Sequence, residues 1–585
     1  MSVALAHLAI HATARRRPPL LERKNDNQQV RAIMNTDNSH ATRADASRAT
    51  PTEFAPARGR SLPAPSTRVG GISQLLAIDN VLFLLTLLVL LADRMRLLTL
   101  FGFRYTDEDQ ALLWYAAEEA FHGRFHEPCF FGQSYNTTME GVLAVPLYAV
   151  GVPLPYALPI ITCLLGLLPF VVLAGLAWRQ DRRKLAVLLI MVPLVLPIPY
   201  GMVATMPRGF VTGLALAAPA MALFLIGRRK RDWFVASLLG VLAVTANPNA
   251  CLLLVALGVY TWLTHWKKLR FYAMTLAGAA VGSAAPLGIA AFYHAHPTYD
   301  LHRHPPLEFT LKLWHEGWAK LDLYLGHFTP WTSWHAGATP LVILGAMVAA
   351  LLILWQWKAA VALAVAGGAC VIVLGINRVQ ESGTSVFLSG SRMFLAVPVL
   401  YALGLFWLGQ GLDRWHLWPQ VRWTGLGTLI LLALFIIVPR HRSYPALVRE
   451  NLRDRTLQIY LVEDCERQAR AIAEVADAQN VHMVLFAVEH DKTMALALPA
   501  LTDGRCESLF PPFERRTWRM EEEARTPRDK VLLYTEHALR LGLDARTEFP
   551  GAEQVFESPH ITCVTTDGET ALDVARDLKI AVRRF

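Results

Sequence analysis

VLFLLTLLVLLADRMRLLTLFGFRYTDEDQALLWYAAEEAF, residues 81–121, decides how the rest of the chain is read. Its first half, Val81 to Leu100, is mostly apolar and about as long as the ~20 residues a helix needs to cross the hydrocarbon core of a bilayer. The acidic run Asp107, Glu108 and Asp109 follows a few residues later. The order predicts a carboxylate cluster at the lipid–water boundary, just past a first transmembrane helix.

The composition extends this reading to most of the chain. Of 585 residues, 54% are hydrophobic and 18% charged, against about 25% charged in soluble domains. A net charge of +9 suggests nucleic acid until its distribution is followed. The basic residues gather in short loops, RQDRRK at 179–184, RRKRD at 228–232 and HWKKLR at 265–270. Clusters that return after every second apolar run follow the positive-inside rule of membrane proteins, and no nucleic-acid partner is implied.

Placing those loops in the cytoplasm orders the spans. Residues 1–72 are polar and rich in Arg, Pro and Ala, and are predicted to form a disordered cytoplasmic tail. The stretch ALAHLAI is too short, and lacks the basic lead, for a cleaved signal peptide. The first helix then runs outward near 80–100, and a long outer loop covers 101–155. Parity allows one crossing near 157–178, with Met139 to Val150 lying at the outer interface. Helices near 185–200, 209–227, 233–247, 249–264 and 271–292 alternate direction, with Pro193, Pro197 and Pro199 breaking the outer end of the first of these.

A second outer loop spans 293–337, and helices near 338–357, 359–376, 392–410 and 424–438 bring the count to about eleven. From about 440 to 585 the runs VHMVLFAV, KVLLYTE and HITCVTTDG alternate with helical patterns such as LQIYLVEDCERQARAIAEVADA and ETALDVARDLKI. That alternation predicts a soluble α/β domain, placed outside by parity. The fold class is therefore a polytopic α-helical membrane domain over 73–439 followed by an extracytoplasmic α/β domain over 440–585.

Cys163, Cys251 and Cys370 fall in predicted spans and read as small apolar fillers. Cys129, Cys465, Cys506 and Cys563 lie outside, where an oxidising compartment would allow one or two disulfides. No CxxC or HExxH spacing points to a structural zinc site. His294, His296, His302 and His304 in the second outer loop have no metal-binding spacing, and Trp314, Trp318, Trp331 and Trp334 suit an interfacial aromatic belt, with carbohydrate stacking as the sharper alternative.

Candidate chemistry lies along the outer surface. Neighbouring residues of a helix point about 100° apart, so one of Asp107 and Glu108 faces a substrate and the other supports it. A carboxylate in a partly dry pocket is raised toward a usable general base. The plainer reading makes the acids dipole partners of a helix capped by Thr106. Gly132, Gln133, Ser134, Tyr135 and Glu140 form a second polar group able to hold a sugar or acceptor, or simply a loop-to-helix junction. Arg208 in MPRGFVTG and Arg392 in SGSRMFLAVPVL offer guanidinium forks suited to phosphate, or snorkel at the interface.

These residues together resemble a known family. A DE pair after an outward first helix, then G-x-F-x-E-P-x-F-F-G-Q-x-Y before an apolar segment containing Glu140, is similar to the bacterial GT-C glycosyltransferases, relatives of the protein O-mannosyltransferases and lipid A aminoarabinose transferases. SGSRMFLAVPVL is similar to the family's Arg-aromatic-x-x-x-x-Pro segment, with Met393 where an aromatic is usual.

The resemblance implies a multi-pass enzyme of the bacterial inner membrane. It would move a hexose or pentose from a polyprenyl-phosphate donor to a lipid, glycan or protein acceptor, with inversion. Asp107 or Glu108 would take the acceptor's proton, and Arg392 and Arg208 would hold the leaving phosphate. The resemblance implies no certain cofactor and leaves room for a divalent cation. MPRGFVTG carries no carboxylate where many relatives place one. A lipid-linked oligosaccharide transporter would bury functional charges within its spans, and a silent scaffold of the cell envelope would need only small changes in the site.

Overall fold

The computed structural model describes residues 78–582 apart from 302–305, 331–335, 381–386, 388–391, 415–423, 453–458, 488–491, 535–553, 558–560 and 567. The predicted tail and His302, His304, Trp331 and Trp334 lie outside the described residues. The chain is mainly helical. Helix α1 (Ile78–Leu97) continues through a π-turn at Leu98–Gly102 into a two-residue strand β1 (Tyr105–Thr106), and α2 (Glu108–Phe121) and α3 (Met139–Ala149) follow.

The bundle proper contains α4 (Leu154–Arg179), α5 (Arg183–Val195), α6 (Ile198–Thr205), α7 (Thr212–Ile226), α8 (Lys230–Ala246), α9 (Ala250–His265), α10 (Leu269–Gly282) and α11 (Ala284–Ala295). Two short helices, α12 (Leu311–Ala319) and α13 (Leu321–Leu325), lead to α14 (Ala338–Ile353), α15 (Trp357–Val373), α16 (Val397–Arg414) and α17 (Thr424–Leu452). Among the described residues, Leu154–Arg179, Leu269–Ala295 and Phe394–Asp413 are long and apolar enough to cross a membrane, and the bent pair α5–α6 makes a fourth where it is counted as one span. Several of the other helices are apolar but shorter; one of 16 residues, such as α9, rises roughly 24 Å against a hydrocarbon core of ~30 Å.

The bend explains why the first helix carries charge. Helices α5 and α6 meet at 93°, and Pro197 at the break has no N–H to give the carbonyl of Pro193 four residues earlier. Arg94 Nη2 donates to that carbonyl at 2.9 Å. Asp93 lies beside Arg94 Nε at 3.7 Å and His441 Nε2 at 3.5 Å. Asp93 and Arg94, inside the first apolar run of the sequence, are both buried. Arg94 meets a backbone defect on a neighbouring helix and so removes the cost of an unpaired carbonyl, and Asp93 is paired in turn with Arg94 and His441.

Residues 460–580 begin with β2 (Tyr460–Leu461) and α18 (Val462–Gln479) and build a five-stranded sheet in the order β4-β3-β5-β7-β6. Its strands are β3 (Met483–Phe486), β4 (Glu507–Leu509), β5 (Lys530–Tyr534), β6 (Gln554–Glu557) and β7 (Ile561–Thr565), with helices α19 (Lys492–Leu501), α20 (Thr517–Glu523) and α21 (Ala571–Asp577). Strand β3 is parallel to β4 and β5, whereas β7 runs antiparallel to β5 and β6. One apolar cluster forms around Ile472, Phe486 and Leu498, and another around Leu485, Val531 and Leu572. Each covers a sheet face.

Strand pairing and apolar packing both tie this domain to the head of α2. Strand β2 pairs antiparallel with β1, Thr106 opposite Tyr460, and α19 contributes Leu496, Ala497 and Ala500 to the cluster containing Ala111, Leu112 and Tyr115. The structure forms no disulfide among the seven cysteines. Cys465, Cys506 and Cys563 share one core cluster, so they act as buried fillers and not as the disulfides the sequence allowed.

Candidate active site

Asp107 is the N-cap of α2. Its backbone is extended (φ −145°, ψ −176°), and its Oδ1 accepts from the Gln110 N–H at 3.0 Å. The cap is therefore Asp107 and not Thr106, because Thr106 is drawn into the β1–β2 pairing and the carboxylate one residue later reaches the third N–H of the helix. Capping fixes the directions of the next two acids around the helix axis.

Each acid meets a cation. Asp107 Oδ2 lies 2.5 Å from Arg208 Nη2, and Arg208 Nε is 3.5 Å from Asp109. Arg515 Nη1 donates to Asp109 Oδ1 at 2.7 Å and lies 3.4 Å from Glu108. Lys492 Nζ is 2.5 Å from Glu108. The result is an alternating chain, Asp107–Arg208–Asp109–Arg515–Glu108–Lys492. Asp107 is 1% exposed at one end, while Glu108 and Lys492, at 29% and 24%, form the open end.

The same surroundings separate the two aspartates electrostatically. Burial, and then the Asp109 charge, push the Asp107 carboxyl up from its ordinary value against the pull of Arg208. Burial acts on Asp109 in the same direction, but Arg208 and Arg515 together overcome it and hold that carboxyl at about 2. Two carboxylates two residues apart thus differ in proton affinity, the pattern by which acid–base sites assign roles.

Arg208 owes its placement to a clamped turn. Gly209 has φ +72°, and a Cβ there would lie 1.8 Å from Asn136 Oδ1, so only glycine fits. Asn136 Nδ2 donates to the Arg208 carbonyl at 2.5 Å and Glu140 Oε2 accepts from the Gly209 N–H at 3.0 Å. Thr212 Oγ1 and Asn247 Nδ2 donate to the Gly209 carbonyl at 2.7 and 3.0 Å. Glu140 is fully buried beneath this turn. Burial raises its carboxyl to about 7.

Arg392 reaches the same ring as Arg208. Its guanidinium lies 4.7 Å from the centroid of Phe210, and that of Arg208 lies 5.8 Å from the same ring. Asn249 Nδ2 donates to the Phe210 carbonyl at 2.7 Å and reaches the Arg392 carbonyl at 3.4 Å. The two arginines singled out in the sequence, 184 residues apart by number (392 − 208), converge on one buried aromatic.

The stretch 127–135 folds as a tight turn with Phe131 at φ 42° and Gly132 at φ 80°. Glu127 supports it, accepting from the Gly132 N–H at 3.0 Å and from the Tyr293 hydroxyl at 2.5 Å. Burial lifts the Glu127 carboxyl to about 7. Gln133 is half-buried and donates its N–H to Phe130. Tyr135 is half-buried and interacts electrostatically with Arg515 and Arg378. The structure thus brings Asp107, Glu108, Arg208 and Arg392 into one constellation. It sets Glu140 under the Arg208 turn and Gln133 and Tyr135 on an adjoining loop.

Asp109, named in the sequence only as a member of the acidic run, and Lys492 and Arg515, not singled out there, complete the constellation. Asp109 was visible in the acidic run, whereas Arg515 is separated from Asp109 by 406 positions, and no local pattern marks it. Among the described residues no group of three or more His, Cys, Asp or Glu is arranged to hold a metal ion, and His294 and His296 are exposed.

No protein-family model matches the chain, and no curated protein matches it. Among solved structures the chain is similar to ArnT from Cupriavidus metallidurans in the apo state, at 16% identity and a TM-score of 0.48, over 86% of this chain and 99% of that one. It is also similar to ArnT from the same organism bound to undecaprenyl phosphate, at 17% identity and a TM-score of 0.45, over 82% and 97%.

Proposed function

We propose that the chain is a membrane glycosyltransferase that moves a sugar from a polyprenyl-phosphate donor to an acceptor at the outer face of a bacterial cytoplasmic membrane. The observation that carries this reading is the contact of a buried carboxylate of raised proton affinity, Asp107, with Arg208, which shares the ring of Phe210 with Arg392. A base and two fixed guanidinium groups are then adjacent, as transfer from a sugar phosphate demands. The reading takes the shorter apolar helices as the remaining crossings of a bundle of about eleven, with 440–585 outside.

In this proposal Asp107 takes the proton of the acceptor hydroxyl as its oxygen attacks the anomeric carbon. The bond from that carbon to the phosphate oxygen breaks on the opposite face, with inversion. The leaving phosphate gains negative charge, which Arg208 and Arg392 stabilise. Glu140 and Asn136 act on this step indirectly, by fixing the turn that carries Arg208. A divalent cation, if bound, would have to compete with Arg208, Arg515 and Lys492 for the three carboxylates.

The test is transfer from a matched polyprenyl-phosphate sugar, combined with direct binding of undecaprenyl phosphate. Arg392→Ala should weaken lipid-phosphate binding by roughly 10–100-fold, the equivalent of one charged hydrogen-bonding group at about 1.5–3 kcal/mol. Arg392→Lys should recover part of the affinity, because it keeps the charge and loses the fork. Unchanged affinity and rate in Arg392→Ala would remove the residue from the phosphate site.

A further inference from the structure

The C-terminal domain supplies two of the three cations in the charge chain. Arg515 precedes α20 and Lys492 opens α19, and both side chains cross to the head of α2. The crossing is braced on several sides. The β1–β2 pairing fixes the two residues before Asp107, the Val462 N–H donates to the Arg104 carbonyl at 2.9 Å, and Trp518 stacks on His126 with ring centroids 3.9 Å apart. Thr517 Oγ1 donates to the Thr298 carbonyl at 2.7 Å.

Asp109 has two arginines within reach and is divided unequally between them. It is 2.7 Å from Arg515 and 3.5 Å from Arg208, whereas Arg208 is 2.5 Å from Asp107. Arg515 is only 17% exposed and its guanidinium sits 5.4 Å from the centroid of Phe130, so its direction is set by packing. Without it, Asp109 would be left to Arg208 and the weaker pull of Arg392, and would compete with any phosphate for the Arg208 guanidinium.

We propose that Arg515 is a positioning residue of the transfer site: by taking Asp109, it leaves Arg208 to Asp107 and to the carrier phosphate. Lys492 does the same for Glu108 at the open end of the charge chain. The C-terminal domain is then a structural part of the donor site, and the inference deepens the transferase reading on which it rests.

The test uses the full-length protein with Arg515→Ala, Arg515→Lys and Lys492→Met. Undecaprenyl phosphate affinity, transfer rate and thermal midpoint are measured for each. Arg515→Ala should lose roughly 10-fold or more in lipid-phosphate affinity, the scale of one charged hydrogen bond, and transfer should fall with it. Arg515→Lys should recover most of the affinity, since an ammonium can still engage Asp109. Lys492→Met should have a smaller effect.

Wild-type affinity in Arg515→Ala overturns the inference. So does an equal loss in Ala and Lys variants that follows a fall in thermal midpoint, the signature of a brace alone. A wild-type protein that binds undecaprenyl phosphate in an Arg515-dependent way and transfers no sugar would leave the positioning role standing and defeat the transferase reading. Transfer that survives Arg515→Ala intact would do the reverse.

Discussion

Asp107→Asn should lower the proposed sugar transfer by roughly 10²–10⁴-fold, the usual contribution of a positioned proton acceptor, while the protein stays folded. Asparagine caps a helix about as well as aspartate, so the bond from the Gln110 N–H to position 107 survives the change. Arg208 keeps Asp109 within 3.5 Å. What disappears is the group able to accept a proton. Initial rates with a polyprenyl-phosphate sugar, and thermal midpoints measured in parallel, separate chemistry from stability.

Glu108→Gln is the discriminating control. Glu108 is the more exposed acid, at 29% against 1% for Asp107, but two cations hold it, and its replacement should have the smaller effect. Burial raises Asp107, and its basic form is lost as pH falls through that raised value. The wild-type rate should therefore decline on the acid side above the ~3.9 of an ordinary aspartate, and Asp107→Asn should remove that limb from the residual activity. Rates near wild type in both single variants and in the double variant would sink the catalytic reading and favour a scaffold.

The sequence made some of this site legible for identifiable reasons. Asp107 and Glu108 follow an apolar run of membrane length, and Arg208 and Arg392 stand at breaks in such runs, so hydropathy alone drew attention to all four. Glu140 was legible as a polar residue in an apolar helix. Its attachment to the Gly209 N–H was not, because that contact joins positions 69 apart. Lys492 and Arg515 sit in a domain whose local pattern reads as an ordinary α/β fold, and only the docking of β2 and α19 brings them to α2. The charges of α1 were plain in DRMR, but their purpose depends on a proline break in another helix.

Arg208→Ala should produce the largest loss of stability among these variants, about 3–5 kcal/mol, the cost typical of removing one member of a buried ion pair. Asp107 would keep the bond from the Gln110 N–H, in a site where a lone charge is poorly solvated. The turn itself should persist, since Asn136, Glu140, Thr212 and Asn247 hold it through the backbone of Arg208 and Gly209. The penalty should thus come from the stranded carboxylate. Combining Arg208→Ala with Asp107→Asn should recover a large part of the stability, and the double-mutant cycle measures the coupling. Lipid-phosphate affinity should not recover in that double variant, because the phosphate has lost its guanidinium whether or not Asp107 is charged. A double variant no more stable than Arg208→Ala would show that the arginine braces the fold by packing. Recovered stability with restored undecaprenyl phosphate binding would move the phosphate site away from Arg208.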